Sequence, residues 1–186
     1  MKDGVTDRMK AFRNALIGVG VAALVVVLWT QRGRIGPLGV GSEAPAYVAH
    51  TVAGDTVRLA DLRGRVVVLN VWATWCGPCV REMPALQRLH EQLGERGLSV
   101  IAVSVDSEGL GLGGGDADVR SFIDEFGLTF TVLRDASGRI EDTFGVAGLP
   151  TTFVIDRDGR IHRKVLGARE WDDPALAAEI ESLLEG

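Results

Sequence analysis

Two residues separate Cys76 from Cys79, and these are the only cysteines among the 186 residues of the chain. Thiols at this spacing can close a small disulfide ring and open it again. Such a pair cycles between dithiol and disulfide through a mixed disulfide with a partner. The predicted chemistry is therefore thiol–disulfide exchange, with Cys76 as the exposed attacking thiol and Cys79 as the shielded resolving thiol.

Other uses of the pair fit the sequence less well. A zinc site normally takes four ligands, but there is no second cysteine pair, and the three histidines are scattered along the sequence: His50, His90 and His162. A purely structural disulfide would close too short a loop to add much stability. Covalent haem attachment would need a histidine directly after the second cysteine, where Val80 stands. We therefore predict no metal site and no organic cofactor, which leaves the redox-active disulfide of Cys76 and Cys79.

The residues that flank the pair predict a strand, a tight turn and a helix. The run 66–71 is apolar apart from Asn70, as in a parallel strand that is buried on both faces. After the pair, apolar residues recur at steps of three or four: Val80, Met83, Leu86, Leu89 and Leu93. This period predicts a helix that continues to about Gly94 and is kinked at Pro84.

Cys76 would stand at the N-terminus of this helix. Unpaired backbone N–H groups and the helix dipole favour negative charge there. A thiol in that position loses its proton more readily, and the thiolate is the nucleophile. Pro78 fits the first helical turn, where a missing N–H costs little.

The remaining segments predict an α/β domain. A second apolar run, 98–105, completes a strand–helix–strand unit. Asp118 is predicted to cap a later helix that stops at Gly127. The glycine-rich stretch 106–116 is predicted to be a mobile surface loop near the active-site end of the sheet. The other predicted elements are a hairpin of 47–51 with 56–59, a helical turn at 59–64, a strand at 129–133, a short helix at 140–144, a hairpin of 151–155 with 161–166 around Asp158-Gly159, and a last helix capped by Asp172 or Asp173.

Three separated stretches, 69–76, 81–84 and 145–156, together carry a family resemblance. Trp75-Cys76-Gly77-Pro78-Cys79 resembles the thioredoxin active site, and the wider pattern is similar to the membrane-anchored TlpA/ResA/CcmG (DsbE) branch of thioredoxin-like proteins. The resemblance covers roughly 43–185. It implies a thioredoxin-like α/β fold, with a mixed central sheet, helices on both faces and an added N-terminal β-hairpin.

The resemblance also implies where a substrate binds. By this likeness, Pro150 follows a cis peptide bond and faces the cysteine pair, which leaves the backbone of Leu149 to pair with a substrate strand. Trp75 is expected to be a half-exposed platform for protein substrates, with Gly77 and Pro78 beside it. The alternative is that Pro150 is an ordinary loop proline before a strand.

Glu82 is the acidic residue that the resemblance selects. Thioredoxins carry a buried aspartate six residues before the first cysteine, where this chain has Asn70. The TlpA/ResA/CcmG branch instead has an acid at the position of Glu82. A partly buried carboxylate there could move protons for Cys79. The alternative is a solvated helix glutamate without a role in exchange.

The resemblance implies a reductase of protein disulfides. The expected client is apocytochrome c before haem attachment, and the expected electron donor is a membrane thiol carrier of the CcdA/DsbD type. Three alternatives remain open: an oxidant or isomerase for secreted proteins, a thiol peroxidase of the peroxiredoxin type, and an anchored scaffold with an inert disulfide.

Charge and hydropathy set the N-terminal segment apart. Residues 1–34 carry six Lys or Arg and two Asp or Glu, whereas the whole chain has a net charge of −5. The remainder is thus acidic and lacks the clustered cations that nucleic-acid binding needs. No charge occurs in 15–29, which is short for a span of about 20 residues, although flanking arginines can extend it.

We therefore predict an uncleaved anchor, with a cleaved signal peptide or a core helix as the alternatives. The excess of Lys and Arg before the span predicts a cytoplasmic tail at 1–14, a transmembrane anchor at 15–31, a linker at 32–42 and an extracytoplasmic thioredoxin-like domain at 43–186. An oxidising compartment suits a chain whose only cysteines are a redox pair.

Overall fold

The computed structural model describes residues 14, 17–24, 26, 38–107 and 114–186. The chain divides into two units, Met1–Pro37 and Leu38–Gly186. In the first unit, 17–24 is helical. Among the described residues, no helix reaches the length and apolar character that a membrane crossing requires. Most of the predicted tail, about half of the predicted anchor and part of the linker lie outside the described residues.

The second unit is an α/β domain. Its strands are β1 (Val48–Thr51), β2 (Thr56–Arg58), β3 (Val66–Trp72), β4 (Leu98–Ser104), β5 (Thr131–Arg134), β6 (Thr151–Ile155) and β7 (Ile161–Leu166). Its helices are α1 (Gly77–Leu93), α2 (Asp116–Phe126), α3 (Arg139–Phe144) and α4 (Pro174–Glu185), with a 3-10 turn at Leu59–Leu62.

The seven strands form one mixed sheet in the order β2-β1-β5-β4-β3-β6-β7. Strands β3, β4 and β5 are parallel to one another. Strand β6 pairs antiparallel with β3, and β7 with β6. The hairpin of β1 and β2 joins the sheet through antiparallel pairing of β1 with β5. The thioredoxin-like fold and its added N-terminal hairpin are thus confirmed.

Every residue of β3 is buried, because helices or loops cover both faces of the sheet. Val68 belongs to the apolar cluster on the face covered by α1, α2 and α4, with Leu86 and Ile180. Leu69, the next residue, belongs to the cluster on the other face, with Ile140 of α3. Neighbouring side chains of a strand point to opposite faces, which explains the continuous apolar run in the sequence.

Helix α1 continues from Gly77 to Leu93 through Pro84, which lies inside it. The loop that follows β4 was predicted as 106–116, and 108–113 lie outside the described residues.

Asp118 caps α2, as predicted, but from the third helical position rather than from the N-cap position itself. The helix begins at Asp116, with Gly115 at the capping position. Asp118 stands one turn inside, where its Oδ2 accepts hydrogen bonds from the N–H groups of Gly114 (2.7 Å) and Gly115 (3.1 Å). An acid in the third helical position can reach back in this way.

Asp173, rather than Asp172, caps the last helix. Its Oδ1 accepts hydrogen bonds from the N–H groups of Ala175 (3.0 Å) and Leu176 (3.3 Å). Asp172 instead forms an ion pair with Arg88 of α1.

Candidate active site

The cysteine pair lies where β3 gives way to α1. Cys76 and Cys79 are joined in a disulfide. Cys76 occupies the capping position of α1, and its Sγ accepts a hydrogen bond from the N–H of Cys79 at 3.3 Å. Pro78 stands in the first turn, as predicted. A thiolate on Cys76 would therefore meet a backbone donor and the positive end of the helix dipole.

The exposure of the pair differs from the prediction. Cys76 is only 6% exposed and Cys79 is fully buried, so the expectation of an openly exposed Cys76 is corrected. Both cysteines pack into the apolar cluster beneath α1, which covers them on the inner side. What access remains belongs to Cys76, the sulfur expected to attack. Gly77 and Pro78, which separate the two cysteines, are exposed.

Trp75 and Trp72 occupy different environments. Trp75 is 44% exposed, as predicted for a half-exposed platform, and stands directly before Cys76. Trp72 is fully buried, and its ring centroid lies 4.7 Å from that of Phe122. Trp72 therefore belongs to the core, while Trp75 offers apolar area beside the disulfide.

The peptide bond between Leu149 and Pro150 is cis, as the resemblance implies. Thr151, which follows, pairs with Val71 near the end of β3. The cis-proline loop and the disulfide turn thus lie together at the C-terminal end of β3. Leu149 is half-buried and packs against the cluster that contains both cysteines.

Glu82 is buried, with only 2% of its surface exposed. Its Oε1 accepts a hydrogen bond from Nδ2 of Asn70 (2.7 Å). Its Oε2 accepts one from Nε1 of Trp171 (3.1 Å) and one from the N–H of Arg169 (3.1 Å). The alternative of a solvated helix glutamate is therefore excluded. Asn70 also donates to Oγ1 of Thr152 at 2.9 Å.

Burial raises the pKa of the Glu82 carboxyl above its ordinary value, because the charged form is poorly solvated there. The hydrogen bonds from Trp171, Asn70 and Arg169 oppose this shift without cancelling it. A surface cleft of about 360 Å³ is lined by Glu82 together with Arg81, Ala168, Arg169 and Glu170. Glu82 thus lines a surface cleft although almost none of its own surface is exposed.

Sequence reasoning missed several members of this group. Trp171 and Arg169 come from the segment before α4, more than 80 positions from Glu82. Asp106, which is fully buried after β4 and lies outside the Glu82 group, was predicted only as the start of a loop. No periodic pattern links such distant residues, although a tryptophan in a polar segment was an available signal.

Among the described residues, no group of three or more His, Cys, Asp or Glu side chains is arranged to hold a metal ion.

Residues 40–164 match the model of the AhpC/TSA family. The chain is 38% identical over 128 residues to the thiol-disulfide oxidoreductase ResA of Bacillus thuringiensis (strain Al Hakam), covering 69% of this chain and 70% of that protein. It is 37% identical over 166 residues to ResA of Oceanobacillus iheyensis, covering 87% and 83%. A solved structure from Chlorobium tepidum, assigned as thiol:disulfide interchange protein DsbE, superposes with a TM-score of 0.70 at 33% identity and covers 79% of this chain and 99% of that one.

Proposed function

The chain belongs to the AhpC/TSA family and is a thiol-disulfide oxidoreductase of the ResA/DsbE type, and from that premise we propose that it reduces disulfides in proteins outside the cytoplasm. One observation carries the proposal. The disulfide caps a helix, and a buried carboxyl with a raised pKa lies one turn along the same helix. This arrangement supplies both a stabilised thiolate and a nearby proton carrier.

In the proposed reaction, the reduced protein acts first through Cys76. Its thiolate attacks one sulfur of the client disulfide, so that a mixed disulfide forms and the other client sulfur leaves and takes up a proton. Cys79 then loses its proton to Glu82 and attacks Sγ of Cys76. The mixed disulfide breaks, the second client sulfur takes up the proton that Glu82 holds and leaves as a thiol, and the Cys76–Cys79 disulfide forms. Two electrons have passed to the client.

The surface around the disulfide favours a polypeptide client. Leu149 and Pro150 would present backbone to an extended segment, as in strand addition. Trp75 supplies exposed apolar area on one side. Leu166, at the end of edge strand β7, is 62% exposed and pairs across the sheet with Thr151. Apolar side chains left exposed beside a reactive centre suit binding of a protein segment. Gly77 and Pro78 would contact the same segment.

The cellular setting belongs to the same proposal. We expect 15–31 to anchor the chain with 1–14 in the cytoplasm, and 32–42 to connect the anchor to the domain 43–186 outside it. The positive N-terminal flank of the apolar stretch supports this orientation. The proposed client is apocytochrome c, and a membrane thiol carrier of the CcdA/DsbD type would return electrons to the disulfide. No nucleic-acid partner and no organic cofactor are expected.

Trapping tests the assignment of the two thiols. The full chain carrying Cys79→Ser, once reduced, should form a stable mixed disulfide with an unfolded apocytochrome c that carries a disulfide, because nothing remains to resolve it. The matched control Cys76→Ser should trap at least tenfold less, since Cys79 is buried. Equal trapping by both variants, or none by either, would refute the assignment.

The redox potential of the Cys76–Cys79 pair tests the direction of the reaction. A reductase should have a potential near that of thioredoxin, about −270 mV, rather than that of the oxidant DsbA, about −120 mV. Equilibration with glutathione or dithiothreitol buffers, read from tryptophan fluorescence, measures it. A value near that of DsbA would reverse the proposed direction.

A further inference from the structure

Asp106 is a fully buried carboxylate that lies two residues beyond the end of β4 and has no part in the exchange chemistry above. Its two oxygens lie 3.0 and 3.1 Å from the backbone nitrogen of Thr74. Its Oδ1 also accepts a hydrogen bond from the hydroxyl of Thr74 at 2.5 Å, and its Oδ2 accepts one from the hydroxyl of Ser104 at 2.7 Å. We propose that Asp106 is a positioning residue for Cys76, acting through its hydrogen bonds to Thr74.

The connection that leads to Cys76 is short, and few bonds hold it. The N–H of Val105 donates to the carbonyl of Trp72 (2.9 Å), and the N–H of Cys76 donates to the carbonyl of Ala73 (3.1 Å). Between these two points, Thr74 is anchored by Asp106. Trp75, which follows, is 44% exposed and belongs to neither apolar cluster. The position of Cys76 at the N-terminus of α1 therefore depends on the hydrogen bonds that hold Thr74.

Asp106 is itself held firmly by Arg134 at the end of β5. Nη1 of Arg134 donates to the carbonyl of Asp106 (2.9 Å) and to the hydroxyl of Ser104 (2.8 Å). Nη2 donates to the carbonyl of Gly114 (3.2 Å), and Nε to Oδ1 of Asp116 (2.7 Å). A single guanidinium thus ties the end of β4 to the start of α2.

Gly114 closes over the carboxylate from the other side. Its φ of +120° is a conformation that favours glycine, and a Cβ there would stand 2.9 Å from Cβ of Asp106 and 3.0 Å from its Oδ1. A side chain at this position would therefore collide with the group that holds Thr74. The backbone at Gly114 therefore packs directly against the side chain of Asp106.

Burying a carboxylate is costly unless all its acceptor sites are used. Here both oxygens of Asp106 accept hydrogen bonds, and most of these come from Thr74, so the carboxyl group fixes the geometry of the connection between Trp72 and Cys76. The inference rests on the proposed function, because it matters only if Cys76 attacks. The helix N-terminus can stabilise its thiolate only while Sγ stays at the end of α1.

The test measures how the reactivity of Cys76 depends on pH. In the full chain carrying Cys79→Ser, Cys76 is the only thiol, and its alkylation rate is followed from pH 4 to 10. Adding Thr74→Val removes the hydroxyl bond to Asp106 at nearly constant shape. We expect the apparent pKa of Cys76 to rise and the rate at pH 7 to fall about tenfold, which corresponds to one pKa unit. Thr74→Ser, which keeps the hydroxyl, should restore the rate to within about twofold.

Two further variants separate positioning from general stability. Arg134→Lys keeps the charge but loses the forked contacts that hold Asp106, so the pKa of Cys76 should rise in the same direction by less. Asp156→Ala removes the acceptor of the N–H of Arg160 in the turn between β6 and β7, which makes no hydrogen bond to Thr74 or Asp106, and should leave the profile unchanged. Unaltered pH profiles in both Thr74→Val and Arg134→Lys would overturn the inference. A parent chain that traps no client would instead contradict the proposed function, whatever these profiles show.

Discussion

Glu82 and Asp135 are two buried carboxylates with three hydrogen-bond donors each, yet their pKa values shift in opposite directions. Glu82 lies on α1, three residues after Cys79, and bonds to Trp171, in the apolar cluster beneath α1. Asp135 follows β5 and bonds to Tyr47, in the cluster on the other face of the sheet. The pKa is raised for Glu82 and lowered for Asp135.

The surroundings of Asp135 explain the difference. Burial alone would raise its pKa, but the hydrogen bonds from Ser137, Tyr47 and the N–H of Ile140, together with the nearby Arg139 charge, outweigh it. The N–H of Ile140, at 2.7 Å, belongs to the first turn of α3, where the helix dipole also favours negative charge. The number of hydrogen bonds therefore does not decide the charge state. Burial sets the direction for Glu82, whereas for Asp135 the hydrogen bonds from Ser137 and Tyr47, with smaller contributions from the N–H of Ile140 and the charge of Arg139, outweigh burial.

The opposite pKa shifts suit the two residues to different roles: Asp135 to a structural role and Glu82 to proton transfer. Asp135 stays charged and holds α3 against the hairpin. Glu82 can take up and release a proton closer to neutral pH, and it borders a cleft open to water. Three predictions follow from the contrast.

The largest effect is expected from Asp135→Ala. It leaves the hydroxyl of buried Tyr47 and the N–H of Ile140 without their acceptor, which should lower the free energy of unfolding by about 3 kcal/mol. Asp135→Asn, which keeps one oxygen, should cost about 1 kcal/mol. Urea unfolding of the oxidised protein measures both. Alkylation of Cys76 in the folded variants should stay unchanged, and a slower rate would mean that the two carboxylates are coupled.

Glu82→Gln should act on the reaction more than on stability. Without a proton acceptor beside Cys79, resolution of a preformed mixed disulfide should slow by about 10²-fold at pH 7. Stopped-flow measurement of client release against pH tests this, with exposed Glu125→Gln in α2 as the matched control. A resolution rate equal to that of the parent chain across the pH range would show that Glu82 takes no proton.

The smallest effect is on the pH dependence of stability. Because the pKa of Glu82 is higher in the folded state, its stabilising contribution is complete below the ordinary glutamate pKa and is lost as pH rises through the raised value. The contribution of Asp135, whose folded pKa is lowered, is present above the ordinary aspartate pKa and is lost as pH falls.

Unfolding of the oxidised chain in urea between pH 3 and 8 separates the two carboxylates. Glu82→Gln should remove the decline in the free energy of unfolding towards neutral pH. Asp135→Asn should remove the decline towards acid pH. If each variant altered the opposite side, the assigned shifts would be reversed.

The local elements of the fold could be predicted well. The hairpin of 151–155 with 161–166 has the observed bounds, because Asp158-Gly159 sets the turn locally. Strand β5 was less well placed: it was predicted at 129–133 and found at Thr131–Arg134. Its end is set by pairing of Arg134 with Ser104 and His50 of neighbouring strands, which the segment itself does not encode.

The sequence by itself determined the chemistry of this protein: a cysteine pair at the start of a helix, entered from a buried strand. Those features depend on neighbours within a few residues, and local backbone preferences control them. Only the tertiary structure decided which groups govern the two carboxylates that matter here. Trp171 lies 89 positions from Glu82, and Tyr47 lies 88 from Asp135. Burial and hydrogen bonding between such distant residues arise only when the sheet and helices pack, because desolvation depends on what surrounds a group in space.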